Sequence, residues 1–392
     1  MAGIYIHIPF CKQACSYCDF YFITRQEYRT AFVDALIREI RACKDSRYTQ
    51  ESVETIYFGG GTPSRLALQD FERIVRELRD NFELGGLREV TVEMNPDDVT
   101  PSFLRDLRQI GVNRASMGVQ SFQPRLLEFM HRAHTANESI LCMEYLRQAG
   151  FDTYTVDLIY GNPDETMSDL DSDLDMLLRY PPPHVSAYSL TVEPQTRLGK
   201  LARLGRLEPM DDDVVASQFD RIAQRLEAAG LEHYEVSNYG KPGHESLHNS
   251  NYWEHVNYLG FGPSAHSFWW DENQQSARRW SNAADFKSYV NSDKSIHIEH
   301  ETLDLNTLAE ERIMLGLRTR RGVSREELLT RYGYSLNDEQ KMLVRQMQSQ
   351  GYLKETTQLI CTDEGLRIAD RLTLELISRG TGISNQLAVI SK

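Results

Sequence analysis

The sequence predicts an α/β protein: a partial (β/α)6 barrel of parallel strands, followed by a small, mainly helical, winged-helix-like C-terminal domain. Short segments rich in Val, Ile, Tyr and Thr alternate about six times with apolar-periodic segments up to residue 235. After an irregular stretch, residues 301–379 return to helical periodicity. Because six strand–helix units are fewer than the eight of a closed barrel, we expect the barrel to be open.

The barrel elements can be placed in order along the chain. The pattern predicts strands over 4–8, 53–58, 89–94, 114–118, 153–158 and 185–190. It predicts helices over 28–42, 68–81, 101–110, 139–149 and 167–178. Thr100 before Pro101 indicates a helix start, since threonine caps helices and proline favours the first turn. Helices between successive strands predict parallel pairing, which needs such crossovers.

The rest of the chain divides into three parts. Residues 236–300 are rich in Gly, His, Asn and aromatic residues without a sustained period, and we expect them to form a connecting region after a barrel domain of residues 1–235. Residues 301–379 predict helices over 305–317, 324–332 and 338–350, a hairpin over 353–362 and a closing helix over 364–377. The tail, 380–392, is expected to be frayed.

Composition limits the class of protein. A chain of 392 residues with 41% hydrophobic and 26% charged residues is typical of soluble globular proteins, and no stretch approaches the roughly 20 apolar residues of a membrane span. Six cysteines without a leader or a disulfide pattern predict a reducing cytoplasm. The net charge of −14 weighs against a nucleic-acid partner. Peripheral contact with a membrane stays open.

Three cysteines follow the first predicted strand: Cys11, Cys15 and Cys18, spaced C-x3-C-x2-C. Three thiolates from one loop can hold three irons of a cubane cluster and leave the fourth iron open to another ligand. A zinc site with His7 as fourth ligand is the alternative. It is less favoured because the other three cysteines stand alone, and the odd trio also disfavours a disulfide framework.

Polar or glycine-rich segments follow the other predicted strands. They are residues 59–63, 93–96, 118–121, 157–161 and 193–194. In parallel α/β folds the chemistry gathers at the C-terminal edge of the sheet. Turn formation explains each segment separately, but not their presence after every strand. We therefore expect them to converge on one mouth with the cysteine loop.

These segments carry a resemblance. The run Tyr5-Ile-His-Ile-Pro-Phe-Cys11, the Gly-Gly-Gly-Thr-Pro segment 59–63 and Val119-Gln-Ser-Phe122 together resemble the radical S-adenosylmethionine (SAM) superfamily. More narrowly, the chain resembles the oxygen-independent coproporphyrinogen III oxidase family over residues 1 to roughly 378, including the segment 157–161. The resemblance implies a partial radical-SAM barrel and a HemN-like C-terminal domain over 301–379.

The resemblance also implies cofactors. Cys11, Cys15 and Cys18 would hold a [4Fe–4S] cluster whose fourth iron is chelated by the amino and carboxylate groups of SAM. Glycine would let the backbone approach the methionine end, and a strand-end aspartate could accept a hydrogen bond from a ribose hydroxyl. That aspartate, Asp157, could equally be an inert strand-end residue, and Arg132 could be a solvated helix residue. The positions that match the family's SAM contacts are Tyr5, Tyr17, Gly60, Gly61, Thr62, Glu93, Gln120, Arg132 and Asp157.

Two departures narrow the resemblance. The coproporphyrinogen oxidases carry a fourth cysteine two residues after the third, where this chain has Phe20, and an extension before the motif. This combination resembles the HemW branch, heme chaperones that deliver heme to acceptor proteins. His248-Asn-Ser-Asn-Tyr252-Trp253 fits the H-N-x-x-Y-W heme motif of that branch. The resemblance implies His248 as a heme-iron ligand, with Tyr252 and Trp253 against the porphyrin.

Three functions compete. The first is a heme chaperone with a cluster and SAM, whose partners are heme, heme-accepting proteins such as those of the respiratory chain, and an electron donor. The second is oxidative decarboxylation of coproporphyrinogen propionates to vinyls. The third, RNA modification, is opposed by the net charge of −14 and the lack of an RNA module. Phe20 and the motif at 248–253 favour the first. A monomer and a cluster-dependent dimer both fit.

Overall fold

The structure is a computed structural model that describes residues 2–271, 273–292 and 297–381. The strands in these ranges are β1 (Ala2–Ile8), β2 (Val53–Gly60), β3 (Glu89–Met94), β4 (Arg114–Gln120), β5 (Thr153–Tyr160), β6 (His184–Ser189), β7 (Glu232–Glu235), β8 (Asn238–Gly240), β9 (Asn257–Phe261), β10 (His266–Trp270), β11 (Ser276–Asn282), β12 (His297–Asp304), β13 (Val323–Ser324) and β14 (Gln358–Leu359).

The α-helices in the same ranges are α1 (Arg29–Ala42), α2 (Leu68–Asn81), α3 (Pro101–Gln109), α4 (Pro124–Phe129), α5 (Ala136–Gln148), α6 (Met167–Arg179), α7 (Arg197–Arg203), α8 (Asp212–Ala228), α9 (Leu247–Trp253), α10 (Phe286–Asn291), α11 (Leu305–Leu317), α12 (Arg325–Tyr332), α13 (Asp338–Ser349), α14 (Asp363–Leu366) and α15 (Ala369–Thr381). The predicted tail lies outside the described residues from 382 onward.

Twelve strands form one sheet in the order β12-β11-β10-β9-β1-β2-β3-β4-β5-β6-β8-β7. β1 to β6 are parallel neighbours in chain order, and β9 joins the other side of β1 in parallel. The outer strands on both sides run antiparallel to their neighbours. Among the described residues the two edge strands, β12 and β7, do not pair with each other. The prediction of an open, six-unit parallel barrel is confirmed.

The parallel strands separate two kinds of side chain. In β2, Ile56 and Phe58 are buried in the hydrophobic core, whereas Tyr57 between them points to the opposite face. On that opposite face Tyr57 contacts Glu93 of β3, and Asp157 of β5 contacts a serine of β4. Aliphatic residues therefore pack against the helices, and the barrel interior is lined by polar and tyrosine side chains.

The predicted barrel helices are present with small shifts at their ends. Thr100 caps α3 as predicted, since the Phe103 N–H donates to its Oγ1 at 3.2 Å. α5 begins at Ala136, earlier than predicted, because Thr135 and Glu138 form a reciprocal capping box. Local capping chemistry, rather than the apolar period, fixes this start.

Residues 236–300 continue the sheet rather than running as irregular chain. β8 pairs with β6, and β9 to β12 extend the sheet beyond β1. α9, which carries the segment 248–253, lies between these two additions in the chain. The domain boundaries near 235, 300 and 379 remain predictions.

The C-terminal region contains α11 to α15 and the two-stranded sheet β13–β14. The predicted hairpin over 353–362 differs in its pairing. β14 pairs with β13, and residues 353 and 361 form one isolated antiparallel bridge. Ion pairs and hydrogen bonds such as Arg367 to Asp220 (2.8 Å) join this region to the barrel. None of the described helices is both long and apolar enough to cross a membrane.

Candidate functional site

The three cysteines lie in the loop that follows β1, and the chain on either side holds this loop in place. The Cys11 N–H donates to the Ile23 carbonyl at 2.9 Å, and the Ser16 N–H donates to the Met130 carbonyl at 3.1 Å. All three thiols are half-buried. Burial raises the pKa of Cys11 to about 11 and that of Cys18 to about 12. These thiols therefore keep their protons until a metal displaces them.

Two hydrogen-bond donors from neighbouring elements reach the sulfurs. Thr62 Oγ1 donates to Cys11 Sγ at 3.6 Å, and Arg132 Nη1 donates to Cys15 Sγ at 3.3 Å. Within the described ranges no three His, Cys, Asp or Glu side chains converge as ligands of a single ion. Three thiolates with two nearby hydrogen-bond donors are compatible with a cubane, which binds each cysteine at a different iron.

Two glycines bring the segment after β2 against the base of the cysteine loop. The Gly61 N–H donates to the Ile8 carbonyl at 2.8 Å, and a Cβ at Gly61 would lie 2.8 Å from that oxygen. Gly60 has a φ of +103°, and a Cβ there would lie 2.5 Å from His7 Cε1. Both positions therefore require glycine, for closeness at Gly61 and for conformation and closeness at Gly60.

Arg132, in the turn after α4, forms hydrogen bonds to several elements of the site. This turn includes His131, whose φ is +55°. Besides the cysteine contact, Arg132 donates to Asn95 Oδ1 at 2.7 Å, to the Gly118 carbonyl at 2.8 Å and to the Tyr17 hydroxyl at 3.4 Å. Arg132 is therefore a half-buried residue whose guanidinium joins the ends of β3 and β4 to the cysteine loop.

Two carboxylates lie on the polar face of the sheet. Glu93 accepts from the Tyr57 hydroxyl at 2.8 Å and from the Gly60 N–H at 3.1 Å. Asp157 accepts from Ser116 Oγ at 3.2 Å. Burial raises the pKa of Glu93 to about 7 and that of Asp157 to about 6, although these hydrogen bonds oppose the shift. Near neutral pH both groups can bind or release a proton.

The buried polar atoms without a hydrogen-bond partner in the described chain include Gln120 Oε1 and Arg132 Nε. Gln120 ends β4 with a φ of +70°, a conformation that glutamine rarely adopts. Buried polar atoms without partners are uncommon in proteins and call for an explanation. A free acceptor at the end of β4 and a free donor in the turn after α4 fit a polar ligand such as SAM.

The segment at 248–253 lies on α9, against the wall of the same barrel. His248 is buried and stacks on Tyr57, with ring centroids 5.0 Å apart. Its Nδ1 bonds to Thr55 Oγ1 at 2.8 Å, and its Nε2 bonds to the Tyr252 hydroxyl at 2.9 Å. Burial lowers the pKa of His248 to about 3, so the ring is neutral. Both ring nitrogens are engaged, whereas the buried Trp253 Nε1 has no partner in the described chain.

Tyrosines connect the two halves of the candidate site. The Tyr5 ring stacks on Tyr57 at 6.1 Å, and its hydroxyl lies 3.3 Å from His7 Nδ1. Tyr57 thus contacts Tyr5, Glu93 and His248. The predicted SAM positions and the predicted heme motif are separate in sequence but share this tyrosine.

Comparisons with known proteins identify two matching family models. The radical SAM superfamily model matches residues 5–177, and the HemN C-terminal domain model matches residues 303–368. The heme chaperone HemW of Lactococcus lactis subsp. lactis (strain IL1403) is 34% identical over 372 residues, covering 94% of this chain and 95% of the relative. The chain belongs to the HemW family.

Other HemW relatives agree. HemW of Bacillus subtilis (strain 168) is 35% identical over 86% of this chain and 88% of the relative. HemW of Escherichia coli (strain K12) is 36% identical over 67% and 69%. Among solved structures, coproporphyrinogen III oxidase (HemN) from Escherichia coli, a radical SAM enzyme, superposes with a TM-score of 0.80 at 20% identity, covering 95% and 89%. This last likeness shows a shared fold.

Two residues of the site were not among the sequence predictions. Tyr57 lies two residues before the glycine segment, on the polar face of β2, and only strand alternation could have indicated it. Asn95 accepts from Arg132 and donates to Thr62 Oγ1 at 3.3 Å. Asn95 lies within the predicted strand-end segment 93–96, but its hydrogen bonds to Arg132 and Thr62 were not predicted.

The buried Glu93 carboxyl makes stability depend on pH. Because its folded pKa of about 7 exceeds the ordinary value of 4.5, the folded state binds the proton more tightly than the unfolded state. The free energy of unfolding of the metal-free chain should therefore fall by about 3 kcal/mol from this group as pH rises from 4.5 to 7. Glu93→Gln should remove that contribution, as measured by urea unfolding across this range.

Glu72, exposed on α2, provides the control. Glu72→Gln should leave the pH curve of the unfolding free energy parallel to that of the wild type. A Glu93→Gln curve as steep as the wild-type curve would show that Glu93 does not bind its proton as argued.

Proposed function

We propose that this protein binds heme and transfers it to acceptor proteins, and that it carries a [4Fe–4S] cluster and binds SAM. The extent of the likeness to HemW carries this proposal, since 34% identity extends over 94% of the chain. Phe20, at the position of the fourth cysteine of coproporphyrinogen oxidases, is 64% exposed and offers no thiol. The radical-SAM half alone would be compatible with either activity.

Cys11, Cys15 and Cys18 would hold the cluster, which supplies one-electron chemistry and an open iron when bound. The arrangement of the chain around them supports this role. The Thr62 hydroxyl and the Arg132 guanidinium donate to two of the three sulfurs, and such donors stabilise thiolate charge. The half-buried loop also limits the access of water to the sulfurs.

The residues around the glycine segment would bind SAM. Gly60 and Gly61 hold this segment close to the base of the cysteine loop. The unpartnered Gln120 and Arg132 atoms would find partners on SAM. Asp157 would accept from a ribose hydroxyl. Glu93 already accepts from the Gly60 N–H, so it orients the glycine segment. Thr62, Tyr5 and Tyr17 complete the proposed set.

His248 would ligate heme iron, with Tyr252 and Trp253 against the porphyrin. Ligation through Nε2 would exchange the hydrogen bond to the Tyr252 hydroxyl for a bond to iron. Its neutral ring is the form that binds metals, and Thr55 would keep the other nitrogen in one tautomer. Heme uptake therefore involves a movement of α9 or of Tyr252.

The setting proposed for this activity is the cytoplasm. The partners would be heme, heme-accepting proteins such as those of the respiratory chain, and an electron donor for the cluster. Monomeric protein and a dimer formed on cluster loading both fit the proposal.

Hemin titration and an oxidase assay together test the function. Wild type should bind hemin with a clear Soret shift, and His248→Ala should weaken the apparent Kd at least tenfold, about 1.4 kcal/mol. The control is His184→Ala, which also removes a buried imidazole bonded to a tyrosine hydroxyl, that of Tyr234 at 2.8 Å. It should bind hemin as the wild type does.

In parallel, the anaerobically reconstituted protein is incubated with SAM, reductant and coproporphyrinogen III. No sustained formation of protoporphyrinogen is expected. Turnover at useful rates would instead identify an oxidase and overturn the chaperone proposal. Equal hemin spectra for wild type and His248→Ala would remove His248 as the ligand without deciding between the two functions.

A further inference from the structure

One exposed segment beside the cysteine loop is basic, although the chain carries a net charge of −14. Between Glu193 and Glu208 the sequence contains four cations and no carboxylate. We call Arg197, Lys200, Arg203 and Arg206 the α7 basic face. All four are exposed, and none forms an ion pair with a carboxylate in the described part of the chain.

Helix geometry gathers these charges on one side. Arg197, Lys200 and Arg203 stand three residues apart, which places their side chains on neighbouring positions of one helix face. Leu204, 65% exposed, follows directly. Exposed arginines without an ion pair in the described part of the chain also occur elsewhere, for example Arg76, Arg105 and Arg345. The α7 basic face differs because four such cations lie within ten residues of the sequence.

Direct contacts join the α7 basic face to the cysteine loop. The Leu198 N–H donates to the Ser16 carbonyl at 3.0 Å, between two of the cysteines. Arg197 Nη1 donates to His131 Nδ1 at 3.2 Å. A cavity of about 490 Å³ opens there, and its lining includes Cys15, His131, Arg197 and the acidic Glu128. The surface closest to Cys15 is thus continuous with the unpaired cations.

We infer that the α7 basic face docks an acidic one-electron carrier protein, such as a flavodoxin, that reduces the cluster. In the step served, the reduced carrier loses one electron and the cluster gains one, with no atom transferred. Unpaired cations beside the redox centre would attract a negatively charged partner and orient it over the cavity. This inference rests on the proposed cluster in the cysteine loop.

A carrier fits this surface better than an anionic membrane does. Cations can attract an anionic membrane from any exposed surface, whereas cations that dock an electron carrier must lie next to the redox centre. The bonds from Leu198 to the loop and from Arg197 to the turn beside Arg132 place them there. One exposed leucine is also a small apolar area for inserting into lipid.

The test reverses charge on the face without touching the loop. Oxidised flavodoxin is titrated against the metal-free full chain by biolayer interferometry at low and high salt. Lys200→Glu/Arg203→Glu/Arg206→Glu should weaken binding at least tenfold at low salt, and salt should weaken wild-type binding in the same direction. The control, Arg76→Glu/Arg105→Glu/Arg345→Glu, makes the same charge change at exposed positions of α2, α3 and α13 and should change binding less than threefold.

A second arm uses the reconstituted protein. Reduced flavodoxin should reduce the cluster of the face variant at least tenfold more slowly than that of the wild type, while dithionite should reduce both equally. Equal flavodoxin binding by the two triple variants would overturn the inference. So would wild-type binding to phosphatidylglycerol vesicles, lost in the face variant, without binding to flavodoxin. Failure to assemble any cluster would overturn the proposed function instead, because the binding arm uses metal-free protein.

Discussion

Replacing Cys15 by alanine should abolish cluster assembly while leaving the fold intact. After anaerobic reconstitution the iron content is expected to fall from about four per chain to less than about one, because one iron of the cubane loses its only protein ligand. Cys15 is half-buried in a loop, so losing its sulfur leaves no large cavity. Iron and acid-labile sulfide assays, with absorbance near 400 nm, measure the loss, and circular dichroism checks the fold.

Cys43 provides the control for this loss. It is also a half-buried free cysteine, but it follows α1 outside the motif. Cys43→Ala should assemble the same cluster as the wild type. A normal cubane in Cys15→Ala would contradict the assignment of the loop.

Replacing Arg132 by leucine should lower the free energy of unfolding of the metal-free chain by about 2–6 kcal/mol. The change leaves Asn95 Oδ1 and the Gly118 carbonyl without the donors that lie 2.7 and 2.8 Å away. Each acceptor shielded from water and left without a partner costs roughly 1–3 kcal/mol. Urea unfolding measures the difference. The free energy of unfolding of Arg132→Lys should lie between those of the wild type and Arg132→Leu, because a single ammonium cannot reproduce the planar guanidinium fork.

Arg125 is the matched control, since it lies on α4, close to Arg132 in the chain, and pairs with Asp169 at the surface. Arg125→Leu should cost less than about 1 kcal/mol, as exposed ion pairs contribute little. If Arg132→Leu were as stable as Arg125→Leu, Arg132 would not hold the strand ends together.

Much of the barrel could be predicted because its strands and helices carry different periods. β9 to β12 escaped prediction for a physical reason. β9 and β10 are buried on both faces, so their residues show no alternation of polar and apolar side chains. The small sheet of the C-terminal region was misassigned because two-residue strands leave almost no pattern.

The candidate site, too, could be predicted from the sequence only in part. The spacing of the cysteines and glycines is local and could be recognised in the sequence. The surroundings of His248 are not local, since Thr55 and Tyr57 lie almost 200 residues earlier in the chain. The contacts of Arg132 depend on the positive φ of His131, a conformation that histidine seldom adopts and that no sequence pattern indicated.

The contacts between the cysteine loop and Phe286 of α10 affect the order in which the site can form during biosynthesis. The cysteine loop is flanked by Phe10, whose ring contacts Phe286, and by Tyr21, whose hydroxyl accepts from the Phe286 N–H at 2.7 Å. Phe286 leaves the ribosome about 270 residues after Cys18. At roughly 5–20 residues per second this delay is on the order of 15 to 50 seconds. The thiols thus emerge well before Phe286 completes their surroundings, so iron delivered earlier would meet an unfinished loop.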